Sequence, residues 1–106
     1  MNPTESTSPT LTDIFSSLPL REALVNNLSS LGYERMTPIQ AQTLPIMLAG
    51  HDVIAQAKTG SGKTAAFGLC LLHSLNLDHF AIQALVLCPT RELAEQVTQV
   101  LRQLAR

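Results

Sequence analysis

The stretch from Ala57 to Thr64 constrains this chain more than any other part of the sequence. It reads Ala-Lys-Thr-Gly-Ser-Gly-Lys-Thr, and it follows the β-branched pair Val53-Ile54. A short strand, a glycine-containing loop and a helix, in this order, are typical of a phosphate-binding loop. Gly60 and Gly62 have no Cβ atom, so the backbone there can turn sharply and approach a ligand closely.

Each residue type in this loop has a chemical role. The freed N–H groups and the positive end of the following helix favour an anion. Lys63 is placed to reach the outer phosphates as a point charge, and the Thr64 hydroxyl is placed to ligate Mg²⁺. Ala57 stands where the strict motif has its first glycine. The alternative interpretation is a surface turn rich in Gly and Ser with a solvated lysine.

Length and composition exclude several classes of protein. A chain of 106 residues forms at most one small domain, and its hydrophobic fraction of 45% is enough for a core. The net charge is −1 and no basic tract is present, so charge alone does not indicate nucleic acid. No signal peptide and no membrane-spanning run are visible, so we expect a cytoplasmic protein with reduced Cys70 and Cys88 and no membrane partner.

The order of predicted elements is that of an α/β domain. Apolar spacing and capping residues predict four helices, at 20–31, 38–49, 64–74 and 91–106. Pro45 is expected to kink or split the second of these helices. Strands are predicted at Val53-Ile54 and from Ala84 to Cys88, and residues 1–12 are expected to form a mobile tail. This order predicts the opening of a doubly wound parallel sheet.

Two further stretches carry a family resemblance. One runs from Gly32 to Gln40, with Phe15 seventeen positions before Gly32, and the other is Pro89 to Ala94. Together with the phosphate loop they resemble the Q motif, motif Ia and motif I of the DEAD-box ATP-dependent RNA helicases. The resemblance covers residues 13–106 and implies an incomplete RecA-like P-loop domain.

The resemblance implies roles for individual residues. Gln40 would read adenine with its side-chain amide, and Phe15 would stack on the base. The residues that would hold ATP and Mg²⁺ are Ala57, Lys58, Thr59, Gly60, Ser61, Gly62, Lys63 and Thr64, with Lys63 and Thr64 as the catalytic pair. Pro89, Thr90 and Arg91 would contact RNA. Taken alone, Gln40 would be a helix-surface residue, Phe15 a core anchor, and Arg91 a solvated or ion-paired side chain.

The resemblance also implies a function. An intact parent protein would couple ATP hydrolysis to RNA unwinding. The Asp-Glu-Ala-Asp sequence of the family does not occur in these 106 residues, so we expect the chain alone to be inactive. The alternatives are a non-enzymatic nucleotide-binding or regulatory module, or a truncated product without function. A finer resemblance to one bacterial branch implies ribosomal RNA or ribosome assembly particles as partners. Without later strands, we expect exposed apolar faces and marginal stability.

Overall fold

The computed structural model describes residues 13–106, and the predicted tail at 1–12 lies outside these residues. The 3₁₀ turn Phe15–Ser17 precedes the helices. Four helices follow along the chain: α1 Glu22–Ser30, α2 Pro38–Leu48, α3 Lys63–Ser74 and α4 Arg91–Leu104. All four helix predictions are therefore confirmed, with bounds that differ by no more than two residues.

Glycine ends the first two helices, as the sequence predicts. Gly32 has a φ of +87° and Gly50 has a φ of +93°. Residues with a Cβ atom rarely adopt this backbone conformation. After α1, the Tyr33 N–H donates to the Leu28 carbonyl at 2.8 Å. This bond satisfies a carbonyl that the last turn of α1 would otherwise leave without a partner.

Proline shapes both ends of α2. Thr37 caps this helix and Pro38 is its first residue, where a missing N–H costs nothing. Pro45 lies inside α2, which continues to Leu48, so the alternative of a split helix is wrong. Pro45 cannot donate to the Ala41 carbonyl. The helix ends within one further turn, so little of the structure depends on that lost bond.

The hydrophobic core lies between the helices. Helix α3 packs against both α2 and α4, and α1 packs against α4. Leu44 of α2 and Leu69 of α3 are completely buried. The Asn27 side chain joins α1 to the end of α4, since its Nδ2 donates to the carbonyls of Gln103 at 2.8 Å and Leu104 at 2.9 Å.

The two predicted strands do not form. Residues 13–106 contain only an isolated bridge between Ile14 and Arg35. A strand exists through its ladder of hydrogen bonds, and residues 53–56 and 84–88 join no backbone hydrogen bond within the described chain. The prediction of strands there is therefore wrong for this structure. The expected exposure of apolar faces is confirmed, because Leu85 and Leu87 are 78% and 84% exposed.

An open groove of about 970 Å³ runs along these unpaired segments. Val53 and Leu87 border it, Phe67 of α3 and Val97 of α4 contribute to its lining, and Gly60 of the phosphate loop opens into it. The loop thus stands at the edge of an apolar surface formed by helices and extended chain. No helix in the described part of the chain is long and apolar enough to cross a membrane.

Candidate nucleotide-binding site

The phosphate loop is bent by two glycines before α3 begins. Gly60 has a φ of +85° and Gly62 a φ of +93°. Gly62 is the residue that precedes the first turn of α3, and no side chain caps that turn. The first N–H groups of α3 are therefore left without a partner in the described chain, and the helix dipole makes this end positive. This is an arrangement that an anion can occupy.

Lys63 is folded back onto its own loop. Its Nζ donates to the carbonyl of Ala57 at 2.6 Å, so the Lys63 side chain links the end of the loop to its start. The side chain is exposed. An anion in the loop would offer the ammonium a charged acceptor, which forms a stronger hydrogen bond than a neutral carbonyl.

The hydroxyl groups of Ser61 and Thr64 have no hydrogen-bond partner among the described residues. The Ser61 Oγ atom is buried without one, which leaves a donor and acceptor unsatisfied at a free-energy cost. Thr64 is half-buried and lines the groove. An oxygen ligand of this kind suits Mg²⁺, which prefers hard oxygen donors. The loop therefore has hydroxyl oxygens available for a metal–phosphate ligand.

Gln40 connects the start of α2 to the phosphate loop. Its Oε1 accepts from the Thr37 N–H at 2.9 Å, and its Nε2 donates to the Gly62 carbonyl at 3.1 Å. The side chain is only 5% exposed. An amide oxygen has two lone pairs and an amide nitrogen has two hydrogens. Each atom therefore keeps one site with which it could pair with a purine, and the predicted adenine role stays a prediction.

Phe15 belongs to the hydrophobic core. It is 3% exposed, and its ring stacks on that of Tyr33 with a centroid distance of 6.0 Å and an interplanar angle of 25°. This burial agrees with the core-anchor alternative, and the expected stacking of Phe15 on the base stays a prediction. Tyr33 is half-buried and lines the groove. Its aromatic side chain directly after Gly32 is the sequence signal that could have identified it.

The predicted RNA-binding residues lie at the start of α4. Thr90 caps this helix, because its Oγ1 accepts from the Leu93 N–H at 3.1 Å. Arg91 is the first residue of α4 and is exposed, beside Glu95 and Arg102 in a shallow depression. Arg91 makes no ion pair within residues 13–106. Its guanidinium is therefore available to an external anion.

The phosphate loop, the Gln40 side chain that contacts it and the order of the helices are those of an incomplete RecA-like P-loop domain. A sequence model of the DEAD/DEAH box helicase family matches residues 37–106. The chain belongs to this family. It is 63% identical over 87 residues to the ATP-dependent RNA helicase DbpA of Escherichia coli, a match that covers 82% of this chain and 19% of DbpA. The finer resemblance predicted from the sequence is to the DbpA branch, in agreement with this relative.

Other relatives support the same placement. The ATP-dependent RNA helicase DeaD of Buchnera aphidicola is 52% identical over 99 residues, which cover 93% of this chain and 15% of that protein. A crystal structure of a DEAD box protein from Methanococcus jannaschii has a TM-score of 0.82 and 39% identity, over 87% of this chain and 25% of that chain. The structure of S. cerevisiae Dbp5 bound to RNA and ADP BeF3 has a TM-score of 0.83 and 34% identity. The match covers 88% of this chain and 24% of that chain. The chain spans less than a fifth of the length of these curated relatives.

Proposed function

We propose that this chain is the ATP-binding part of a DEAD-box RNA helicase and that it binds ATP together with Mg²⁺. The observation that carries the proposal is the hydrogen bond between Gln40 and the Gly62 carbonyl. This contact brings the segment proposed to read the base to within one hydrogen bond of the loop proposed to hold the phosphates. A nucleotide bound across this contact would touch both segments.

The proposed roles follow from the geometry of each side chain. The open N-terminal turn of α3 would hold the phosphates, and Lys63 would move from the Ala57 carbonyl to a phosphate oxygen. Thr64 would supply one oxygen to Mg²⁺, which neutralises phosphate charge when bound. Gln40 would pair with adenine, and an aromatic ring, that of Phe15 or of the groove-lining Tyr33, would stack on it, since aromatic faces suit purines.

The proposal for the whole reaction is more limited. Relatives of this chain are named ATP-dependent RNA helicases. We propose that these residues serve ATP hydrolysis coupled to RNA unwinding only when further helicase sequence is joined to them, and that the 106 residues alone do not hydrolyse ATP. Arg91, with the backbone at Pro89 and Thr90, would contact RNA phosphates, a contact that does not depend on base sequence. Ribosomal RNA as partner and a cytoplasmic location are also proposals.

The test of nucleotide binding compares ATP with GTP by calorimetry. The chain should bind ATP with Mg²⁺ more tightly than GTP, and Gln40→Ala should remove this preference. Gln42→Ala is a matched control on the same helix, since this glutamine is exposed and makes no side-chain hydrogen bond to the loop. An unchanged preference for ATP in Gln40→Ala would exclude Gln40 from adenine recognition.

Assays of hydrolysis separate the alternatives. If the chain binds ATP but does not turn it over, with or without RNA, a non-enzymatic nucleotide-binding module fits. If it neither binds nor hydrolyses ATP while its helices remain folded, the truncated product without function fits. Turnover that Lys63→Ala abolishes would show that the 106 residues are themselves an ATPase, contrary to our proposal.

A further inference from the structure

One side of α4 carries a row of polar and charged side chains. Arg91, Glu95, Thr98 and Arg102 follow one another at intervals of three or four residues, which places them on one side of the helix, and Gln99 lies beside them. All five residues are exposed, and they line a shallow depression of about 340 Å³. We name the surface formed by these five residues the outer face of α4.

The outer face lies opposite the side of α4 that packs on the protein. Val97 is 5% exposed and lines the groove, Leu104 belongs to the core cluster, and Val100 packs against that cluster. Further strands of the sheet would pack on this apolar side, because the burial of apolar surface drives such packing. The outer face would therefore stay in solvent in a longer domain.

Two unpaired cations lie at the ends of the outer face. Arg91 and Arg102 make no ion pair and no side-chain hydrogen bond within residues 13–106. Glu95 is the one acid among the five residues, and residues 96–106 contain two arginines and no acidic residue. The net charge of the chain is −1, so this positive surface is a local feature. Two free guanidinium groups in a row suit a ligand with repeated negative charges.

The length and the hydrogen-bonding groups of the outer face fit an RNA strand. Since α4 rises about 1.5 Å per residue, Arg91 and Arg102 lie about 16 Å apart along its axis. This length corresponds to about five nucleotides of a stacked strand. The Thr98 hydroxyl donates to the Ala94 carbonyl at 2.8 Å, so its oxygen can still accept from a ribose 2′-hydroxyl. The Gln99 amide makes no hydrogen bond in the described chain and can donate to a phosphate oxygen.

We propose that the outer face of α4 binds the sugar-phosphate backbone of single-stranded RNA from Arg91 as far as Arg102. This inference rests on the RNA contact proposed above for Arg91 and extends it by about five nucleotides. Phosphate and sugar contacts carry no base information, so binding should not depend on base sequence. The Glu95 carboxylate lies between the two arginines and repels the phosphates, so removal of its charge should strengthen binding.

Fluorescence anisotropy with single-stranded RNA of two lengths tests the extent of the site. A ten-nucleotide RNA should bind more tightly than a five-nucleotide RNA. Arg102→Gln should remove most of this advantage and reduce the salt slope for the longer RNA by about 0.7. Arg35→Gln is the matched control, because Arg35 is exposed, lies outside α4 and loses the same charge. Equal affinities for the two lengths, or equal effects of the two variants, would overturn the proposal.

Two further variants separate RNA binding from a structural role of Arg102. Arg102 lies in the last turn of α4, where a cation also stabilises the helix through its dipole. Arg102→Lys keeps the charge and should retain most of the affinity for the longer RNA. Glu95→Gln should raise this affinity about threefold, an effect that helix stabilisation does not predict. Far-UV circular dichroism confirms that each variant keeps its helices. An unchanged or lower affinity in folded Glu95→Gln would overturn the proposal.

The same titrations distinguish this inference from the proposed function. If Arg91→Ala weakens binding of the short RNA but Arg102→Gln does not affect the long one, the extended site is refuted and the contact at Arg91 stands. If RNA of neither length binds, both are refuted, whereas the calorimetric test of ATP binding is unaffected. A poly-glutamate peptide of the same charge as the longer RNA should bind at least tenfold more weakly. Equal binding would indicate a surface for acidic proteins and would overturn the assignment to RNA.

Discussion

Gly62→Ala is the substitution that the site tolerates least among its glycines. A Cβ atom at this position would lie 2.3 Å from Gln40 Nε2 and 3.1 Å from Thr37 Oγ1, so the Gln40 amide must move. The φ of +93° adds backbone strain. The strain costs about 1–2 kcal/mol and the displaced hydrogen bond about 0.5–1.5 kcal/mol, which gives a loss of about 1.5–3.5 kcal/mol in the free energy of unfolding.

Gly60→Ala is the control for this substitution. Gly60 has nearly the same φ, +85°, but a Cβ atom there would meet nothing within 4 Å. It should therefore cost only the backbone part, about 1–2 kcal/mol. Urea denaturation followed by circular dichroism measures both values. In a Gln40→Ala background the extra cost of Gly62→Ala should disappear. Equal losses for the two glycine variants, or strict additivity with Gln40→Ala, would refute the coupling between Gln40 and the loop.

Three further substitutions test other contacts. Asn27→Ala should lower the free energy of unfolding by about 1–2 kcal/mol, since two hydrogen bonds to α4 carbonyls are lost. Asn27→Asp should lower the free energy of unfolding by at least as much, because a carboxylate cannot donate to these carbonyls. Urea denaturation measures both values. Lys63→Ala should weaken ATP binding by calorimetry about 10- to 100-fold, the value of one charge-assisted contact, and leave the unfolding midpoint nearly unchanged. Arg91→Ala should weaken binding of single-stranded RNA and reduce the salt slope by about 0.7; an unchanged slope would exclude a phosphate contact.

The sequence predicts the helices because their signals are local. Thr37-Pro38 begins α2, Thr90 caps α4, and Gly32 ends α1, and each of these acts on its immediate neighbours. The strand at 84–88 has an equally clear local pattern, yet it does not form. Its hydrogen bonds need a partner segment that is distant along the chain, and a local pattern carries no information on whether that partner is present.

The same difference between local signals and distant contacts explains which features of the nucleotide site could be predicted from the sequence. The loop conformation at Gly60 and Gly62 could be predicted because glycine alone adopts it readily. The burial of Phe15 could not be predicted, since an aromatic residue at that position suits a core and a base-stacking surface equally well. The burial of Phe15 goes with its contact with Tyr33, which follows the turn at Gly32, and neither the burial nor the contact can be read from the local sequence.

The two candidate ligand sites depend on different parts of the fold. The nucleotide site is held by α2 and α3, which pack on each other and are joined by Gln40. They contribute Leu44 and Ala66 to one core cluster. None of these contacts needs a β-sheet. The segment that leads to Arg91 follows the unpaired residues 84–88, so it lacks the ladder that would fix its position. Residues 53–56 before the phosphate loop are unpaired too, but α2, α3 and the Gln40 hydrogen bond hold the end of that loop. Nucleotide binding should therefore survive in this chain under denaturant concentrations that already abolish RNA binding.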